Sequence, residues 1–351
     1  MSNRNTIVFR VDGNSTIGMG HVMRCLSLAD ELRDRDYHVF FVVSDNCVTG
    51  LIQKRGYDIY SLNSCWSDYS DKVDKLINFV IEKKASWLIT DSYFAKESYF
   101  KSVSGFQLAW ITENHPDSMG VKVDLFINYN IYMNNFQGTY PLKNYCLGSK
   151  YALLRKAFKG GASKHGENIL ILTGGSDSLN IATLISKTLV KNVDYTNKII
   201  VVSSSLNPNL KKLNSLSEQI TVLIDVEDMP AIMTNARVAV SAGGSTLYEL
   251  AACGVPTITY SFTDNQIENV MAFSKMDIMP YAGDFRFDKD VVLEKIVNHV
   301  NRYYGDNETR LNVSDKMKNV CDGFGASRVA DIIYTWDKEK CELPVKILTR
   351  K

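Results

Sequence analysis

TIVFRVDGNSTIGMGHVMRCLSLADELR, residues 6–33, decides the fold. Its first six residues are mostly apolar, as in a strand buried on both faces of a parallel sheet. Its last part has a helical period. Val22, Cys25, Leu26, Ala29 and Leu32 fall at i, i+3, i+4, i+7 and i+10 and make one apolar stripe. Between strand and helix lies a loop with Gly18 and Gly20, which lets the backbone turn tightly and approach a ligand. Strand, glycine loop and helix in that order open a Rossmann-like unit. The dinucleotide pattern G-x-G-x-x-G is not matched, because Met23 stands where the third glycine would be.

Outward from this segment, short apolar runs alternate with helical patterns. HVFFVVS (38–44), SWLITD (86–91), QLAWIT (107–112) and DLFINY (124–129) follow in the first half. A Gly/Ser/Lys-rich stretch closes residues 149–167 and reads as a linker. The alternation then restarts with ENILILTGG (167–175), KIIVVSSS (198–205), ITVLID (220–225), ARVAVSAGG (236–244) and PTITYSF (256–262). The repeat predicts two α/β, Rossmann-like domains, residues 1–158 and 159–337, with a helix at about 325–337 and a tail at 338–351. Parallel sheets bind ligands at the carboxyl ends of their strands, so the expected site is the cleft between the two domains.

Composition narrows the function. The chain of 351 residues is 45% hydrophobic and 23% charged, too apolar for a disordered protein. Lys and Arg number 40 against 39 Asp and Glu, so no basic excess draws it to nucleic acid or an anionic membrane. No run approaches 18 apolar residues, and the polar start lacks the apolar core of a secretory leader. The seven cysteines are scattered, mostly among apolar neighbours, and read as free thiols of a cytoplasmic protein. His38, His115, His165 and His299 have no metal-ligand spacing, so neither a metal nor a cofactor is expected. The chain is expected to be a monomer.

Four constellations could carry chemistry, each just after a strand. In the first, Asp12, Gly18, Gly20, His21 and Arg24 surround the start of the first helix. A neutral imidazole at His21 could accept a proton from water, and a bland turn with a capping histidine is the alternative. In the second, Gly243, Gly244, Ser245 and Thr246 turn a strand into a helix that carries Glu249. Amides and hydroxyls at such a helix start suit a diphosphate, and the carboxylate suits a ribose. A capped strand-to-helix turn would read the same. The third, Gly174, Gly175, Ser176 and Asp177, is the equivalent turn of the second half's first strand. The fourth is Asn265 and Gln266 at the end of PTITYSF, with donors and acceptors suited to a sugar. Tyr93, in Asp91-Ser92-Tyr93, could touch a substrate or cover the sheet edge. No acid is required on the leaving-group side, and none of these carboxylates is read as one.

Taken together, R-x-D-x(5)-G-x-G-H-x-x-R at 10–24, L-G-x-x-Y-x-L-L-R at 147–155, G-G-S-D at 174–177 and A-G-G-S-T-x-x-E-x-x-x-x-G-x-P at 242–256 resemble the PseG family. The resemblance covers roughly residues 6–335. It implies the GT-B fold of the MurG glycosyltransferases, and hydrolysis of a UDP-2,4-diacetamido-2,4,6-trideoxy sugar in pseudaminic acid biosynthesis. That chemistry removes UDP from C1 by water, with inversion. The resemblance makes His21 the base, Tyr93 and Asn265 active-site residues, and residues 243–246 with Glu249 the UDP-binding segment. A GT-B glycosyltransferase, a hydrolysing UDP-sugar 2-epimerase and a non-catalytic nucleotide-sugar binding protein are the competing readings.

Overall fold

The computed structural model describes residues 5–117, 120–141, 143–161, 166–174, 177, 179–192, 198–205 and 207–342, without the side chains of 340–342. The chain forms two compact units. Residues up to Arg155 join those from Phe324 onward, and Lys156–Gly323 form the other.

The first unit contains β1 (Thr6–Val11), α1 (Gly20–Arg33), β2 (His38–Val43), α2 (Thr49–Lys54), β3 (Asp58–Ser61), α3 (Val73–Glu82), β4 (Ala85–Asp91), α4 (Glu97–Ser102), β5 (Leu108–Ile111), β6 (Leu125–Asn128) and β7 (Tyr145–Leu147). The strands are parallel, in the order β3-β2-β1-β4-β5-β6-β7. The chain steps outward from β1 to β3, then returns to lay β4 on the other side of β1. That reversal opens a crevice at the carboxyl ends of β1 and β4, where Val11 is paired with Asp91. The apolar runs become strand interiors, with Ile7, Val8, Phe9, Leu88 and Ile89 fully buried.

The second unit repeats the plan with β8 (Asn168–Leu172), α5 (Ile181–Asn192), β9 (Ile199–Ser203), α6 (Leu210–Asn214), β10 (Ile220–Ile224), α7 (Met229–Thr234), β11 (Ala236–Ala242), α8 (Thr246–Cys253), β12 (Thr257–Ser261), α9 (Asp264–Lys275), β13 (Tyr281–Asp284), α10 (Lys289–Gly305) and α11 (Asn307–Val320). Its parallel order is β10-β9-β8-β11-β12-β13, so the reversal lies between β8 and β11.

Three expectations change. The last helix, α12 (Gly325–Glu342), belongs to the first unit, whereas the sequence reading put 325–337 in the second. The cause is polar anchoring from the far end of the chain. Buried Asp337 accepts hydrogen bonds from Trp87 Nε1 and the Tyr37 hydroxyl, both at 2.9 Å, and Arg35 pairs with Asp331 at 2.6 Å. The helix also runs past the expected start of the tail; the remainder of that tail, and residues 162–165 of the expected linker, lie outside the described residues. Finally, Cys47 and Cys65 are exposed rather than lodged among apolar groups, while Cys25, Cys146, Cys253 and Cys321 are buried.

Candidate active site

Four neighbouring strand ends of the first unit deliver one cluster of polar side chains. The loop after β1 brings His21 and Arg24 on the first turns of α1, and β4 ends at Asp91 with Tyr93 just beyond. Glu113 follows β5 and Tyr129 follows β6. Gly18, at a φ of 75°, closes the β1 loop by donating its amide to the Asn14 carbonyl at 2.8 Å, which a side chain there would strain.

Asp91 is the hub. Its Oδ1 lies 2.6 Å from His21 Nδ1 and accepts from an Arg24 terminal nitrogen at 2.6 Å; its Oδ2 accepts Arg24 Nε at 2.6 Å. The Cys25 thiol also reaches Oδ2, at 3.5 Å. Burial works to raise the Asp91 proton affinity. The charge of Arg24, then His21 and the hydrogen bonds from both, outweigh it and hold the carboxyl well below the usual carboxylate range. An ionised Asp91 has no proton to give. The short contact to His21 is therefore an Nδ1–H donating to the carboxylate, which in the neutral ring makes Nε2 the acceptor. Arg24 also comes within 3.1 Å of the same Nδ1, but a nitrogen that donates to Asp91 cannot accept from Arg24. The ring is thus fixed in tautomer and orientation, which is the arrangement a general base needs.

A second layer surrounds this pair. The Tyr93 ring lies 4.5 Å from the His21 ring, edge to face, and its hydroxyl donates to Glu113 Oε1 at 2.8 Å. Arg24 reaches the same Oε1 and the Tyr129 hydroxyl, each at 3.3 Å. Burial and the adjacent Glu113 push the Tyr93 phenol up, so it stays protonated at neutral pH.

His21, Arg24 and Tyr93, expected as site residues, are thus brought together. Arg24 is clamped on Asp91, so it holds the site rather than reaching outward for a ligand. Asp12 is not part of the cluster. Both its oxygens are occupied, by the Ser44 amide at 2.6 Å, the Ser44 hydroxyl at 2.9 Å and Arg10 at 2.6 Å. Arg10 in turn stacks on Tyr69 at 4.2 Å. Asp12 therefore ties β1 to β2, and the expectation that it binds substrate gives way to a structural role. Asp91, quoted only as part of Asp91-Ser92-Tyr93, and Glu113 and Tyr129 were not among the expected site residues. Their signal was positional: each polar group stands where an apolar run ends, on the adjacent strands β4, β5 and β6.

In the second unit the strand-end groups are mostly backbone. Gly243 and Gly244 follow β11, Ser245 precedes α8, and Thr246 and Glu249 lie on its first turn. Ser245 makes no side-chain capping bond, so its exposed hydroxyl is not spent on the helix, as the capping alternative required. Gly174, with a φ of 82°, follows β8, the strand beside β11. Gly175 and Ser176 lie outside the described residues. Asp177 caps α5 by accepting from the Ile181 and Ala182 amides at 2.7 and 3.2 Å.

Asn265 and Gln266 sit on the first turn of α9, not in a strand-end loop as expected, because the helix starts at Asp264. Gln266 Oε1 accepts the Phe262 amide at 3.0 Å, and Asn265 Oδ1 accepts the Thr263 hydroxyl at 2.7 Å. Asn265 and His21 are in different units. Among the described residues, no group of three or more His, Cys, Asp and Glu could hold a metal ion, and no helix is long and apolar enough to cross a membrane.

These features have relatives. Residues 168–328 match the family model of the glycosyltransferase family 28 C-terminal domain. Over 259 residues, 69% of this chain and 86% of the relative, the chain is 30% identical to a UDP-2,4-diacetamido-2,4,6-trideoxy-beta-L-altropyranose hydrolase of Campylobacter jejuni. It is 23% identical, over 77% of its length and 48% of the relative, to a Helicobacter pylori protein named as both a pseudaminic acid cytidylyltransferase and that hydrolase. The fold is that of Acinetobacter baumannii MurG, at a TM-score of 0.69 and 14% identity, covering 94% of this chain and 99% of that one. The chain has the GT-B fold and belongs to the PseG family.

Proposed function

We propose that the protein hydrolyses a UDP-linked 2,4-diacetamido-2,4,6-trideoxy hexose at C1, with inversion, releasing UDP and the free sugar. The observation that carries this reading is the His21–Asp91 contact of 2.6 Å, with Asp91 ionised. It leaves Nε2 as a base for water. Such assistance contributes about 10²–10⁴ in rate. The imidazolium formed as water attacks is met by Asp91. Arg24 balances one of the two nearby carboxylates, so the cluster favours a positive ring in the transition state. In the second unit, the amides and hydroxyls of 243–246 and Glu249 are proposed to take the UDP group, with Asn265, Gln266 and residues 174–176. Leaving-group charge would be met there by amides and the α8 dipole, without a metal or general acid. A cytoplasmic monomer acting on a soluble nucleotide sugar completes the proposal.

The family 28 match favours a second reading, transfer of the sugar to an acceptor hydroxyl. One experiment separates them: incubation of the UDP-sugar in ¹⁸O-water without an acceptor. Hydrolysis predicts UDP release with label in the sugar. No UDP release, or label in UDP, overturns it. His21→Ala is expected to keep UDP affinity and lower kcat by about 10²–10⁴; a near-normal kcat would remove His21 as the base.

A further inference from the structure

Glu113 has an oxygen to spare. Both protein donors, the Tyr93 hydroxyl and Arg24, converge on Oε1. Oε2 has no hydrogen-bond partner among the described residues, and 27% of the side chain is exposed. The carboxylate is therefore held by one oxygen and open by the other. A carboxylate oxygen only accepts, so it rewards a donor and penalises an acceptor or an anion. Tyr93 has the same polarity. Its proton is committed to Glu113, the residue is half exposed, and any further bond at its oxygen is one it accepts. The two side chains thus present a surface of acceptors only, beside the imidazole.

We propose that Glu113 is a specificity-determining residue, whose Oε2 accepts the N–H of an acylamino group on the sugar ring. An amide N–H is an obligate donor, which matches an obligate acceptor. A ring position bearing only hydrogen leaves the carboxylate unpaired where the substrate has displaced water, and a uronic acid would meet it as a like charge. The inference rests on the hydrolase reading and extends it to one residue and one bond.

The test uses the intact protein and three substrates: UDP-2,4-diacetamido-2,4,6-trideoxy-β-L-altropyranose and its two analogues, each with one acylamino group replaced by hydrogen. kcat/KM is measured for wild type and Glu113→Gln. Intrinsic reactivity of each sugar cancels in the ratio of the two enzymes, and an inactive fraction cancels in the ratio of two substrates within one preparation. Wild type is expected to prefer the parent over one analogue, and Glu113→Gln to lose about 10- to 100-fold of that preference, as suits a hydrogen bond to a charged group. Equal losses on all three sugars would reduce Glu113 to a support for Tyr93 and overturn the inference, as would no loss at all. If wild type releases UDP yet the preference is unaltered, only this inference falls. If wild type releases UDP from none of the three, the hydrolase reading falls with it.

Discussion

The two sheets reverse direction at the same place, between β1 and β4 in one unit and between β8 and β11 in the other, yet they put different materials there. At the first reversal the chain places polar and charged side chains, buried and bonded to one another: Arg24, Asp91 and His21. At the second it places glycines and small hydroxyl residues at the start of α8. A buried ion-pair cluster is costly to assemble and rigid once made, so it suits groups that must hold one geometry during a reaction. A glycine turn lets backbone amides come close to a bound anion and suits recognition. Under the proposed function, one topology is furnished once for chemistry and once for binding.

The sharpest way to break the comparison is to disarm the first reversal. Asp91→Asn removes the charge that Arg24 and His21 face, leaving the buried guanidinium only its longer contact with Glu113, at 3.3 Å. Breaking such a pair costs about 3–5 kcal/mol, which is read as a fall in the urea midpoint. The pH dependence has a definite sign. The folded carboxyl lies below its unfolded value of about 3.9, so its stabilisation is complete above that value and drains away as pH falls through the lower folded one. Wild type is therefore expected to lose stability on acidification below about pH 4, and the variant to lose less. Parallel acid profiles would show that Asp91 carries no such linkage.

The sequence made much of the architecture legible because strands buried on both faces must be continuous apolar runs. Each long apolar run became a strand within three residues of its expected ends. The strands it missed, β3, β7 and β13, are all sheet edges, where one flank faces away from the sheet and no apolar run is required. The first-unit cluster was half legible. His21 and Tyr93 were found through motif and resemblance, but Asp91 and Glu113 are joined to them by a strand order that no local pattern states. Asp12 shows the converse. It sits in a conspicuous motif, yet Arg10 and Ser44 use its oxygens to hold two strands together. Likewise α12 owes its place to Trp87, Tyr37 and Arg35, all of them some 290 residues or more from its Asp331 in the chain except Trp87, which meets Asp337 across 250.

At the second reversal a single charge carries the next effect. Glu249→Ala is expected to weaken UDP binding by about 10- to 100-fold, the scale of a hydrogen bond to a charged acceptor. Calorimetry with UDP alone measures this without any turnover. An unchanged affinity would remove Glu249 from the UDP-binding segment.

The smallest expected effects separate two adjacent glycines. A Cβ on Gly243 would lie 2.5 Å from Val270 Cγ1 and 2.9 Å from Gln266 Cβ, so this residue is small because α9 packs against it. Gly243→Ala should therefore destabilise by about 1–3 kcal/mol, as overpacking does. A Cβ on Gly244 meets nothing within 4 Å, and its φ is not positive. Gly244→Ala should leave the thermal midpoint nearly unmoved, within about 0.5 kcal/mol. If the turn is a diphosphate cradle, the added methyl fills the space that the anion needs, and UDP affinity drops while stability holds. A Gly244→Ala protein that binds UDP as tightly as wild type would mean the backbone there is not approached closely, and the contrast between a chemical and a binding reversal would lose its second half.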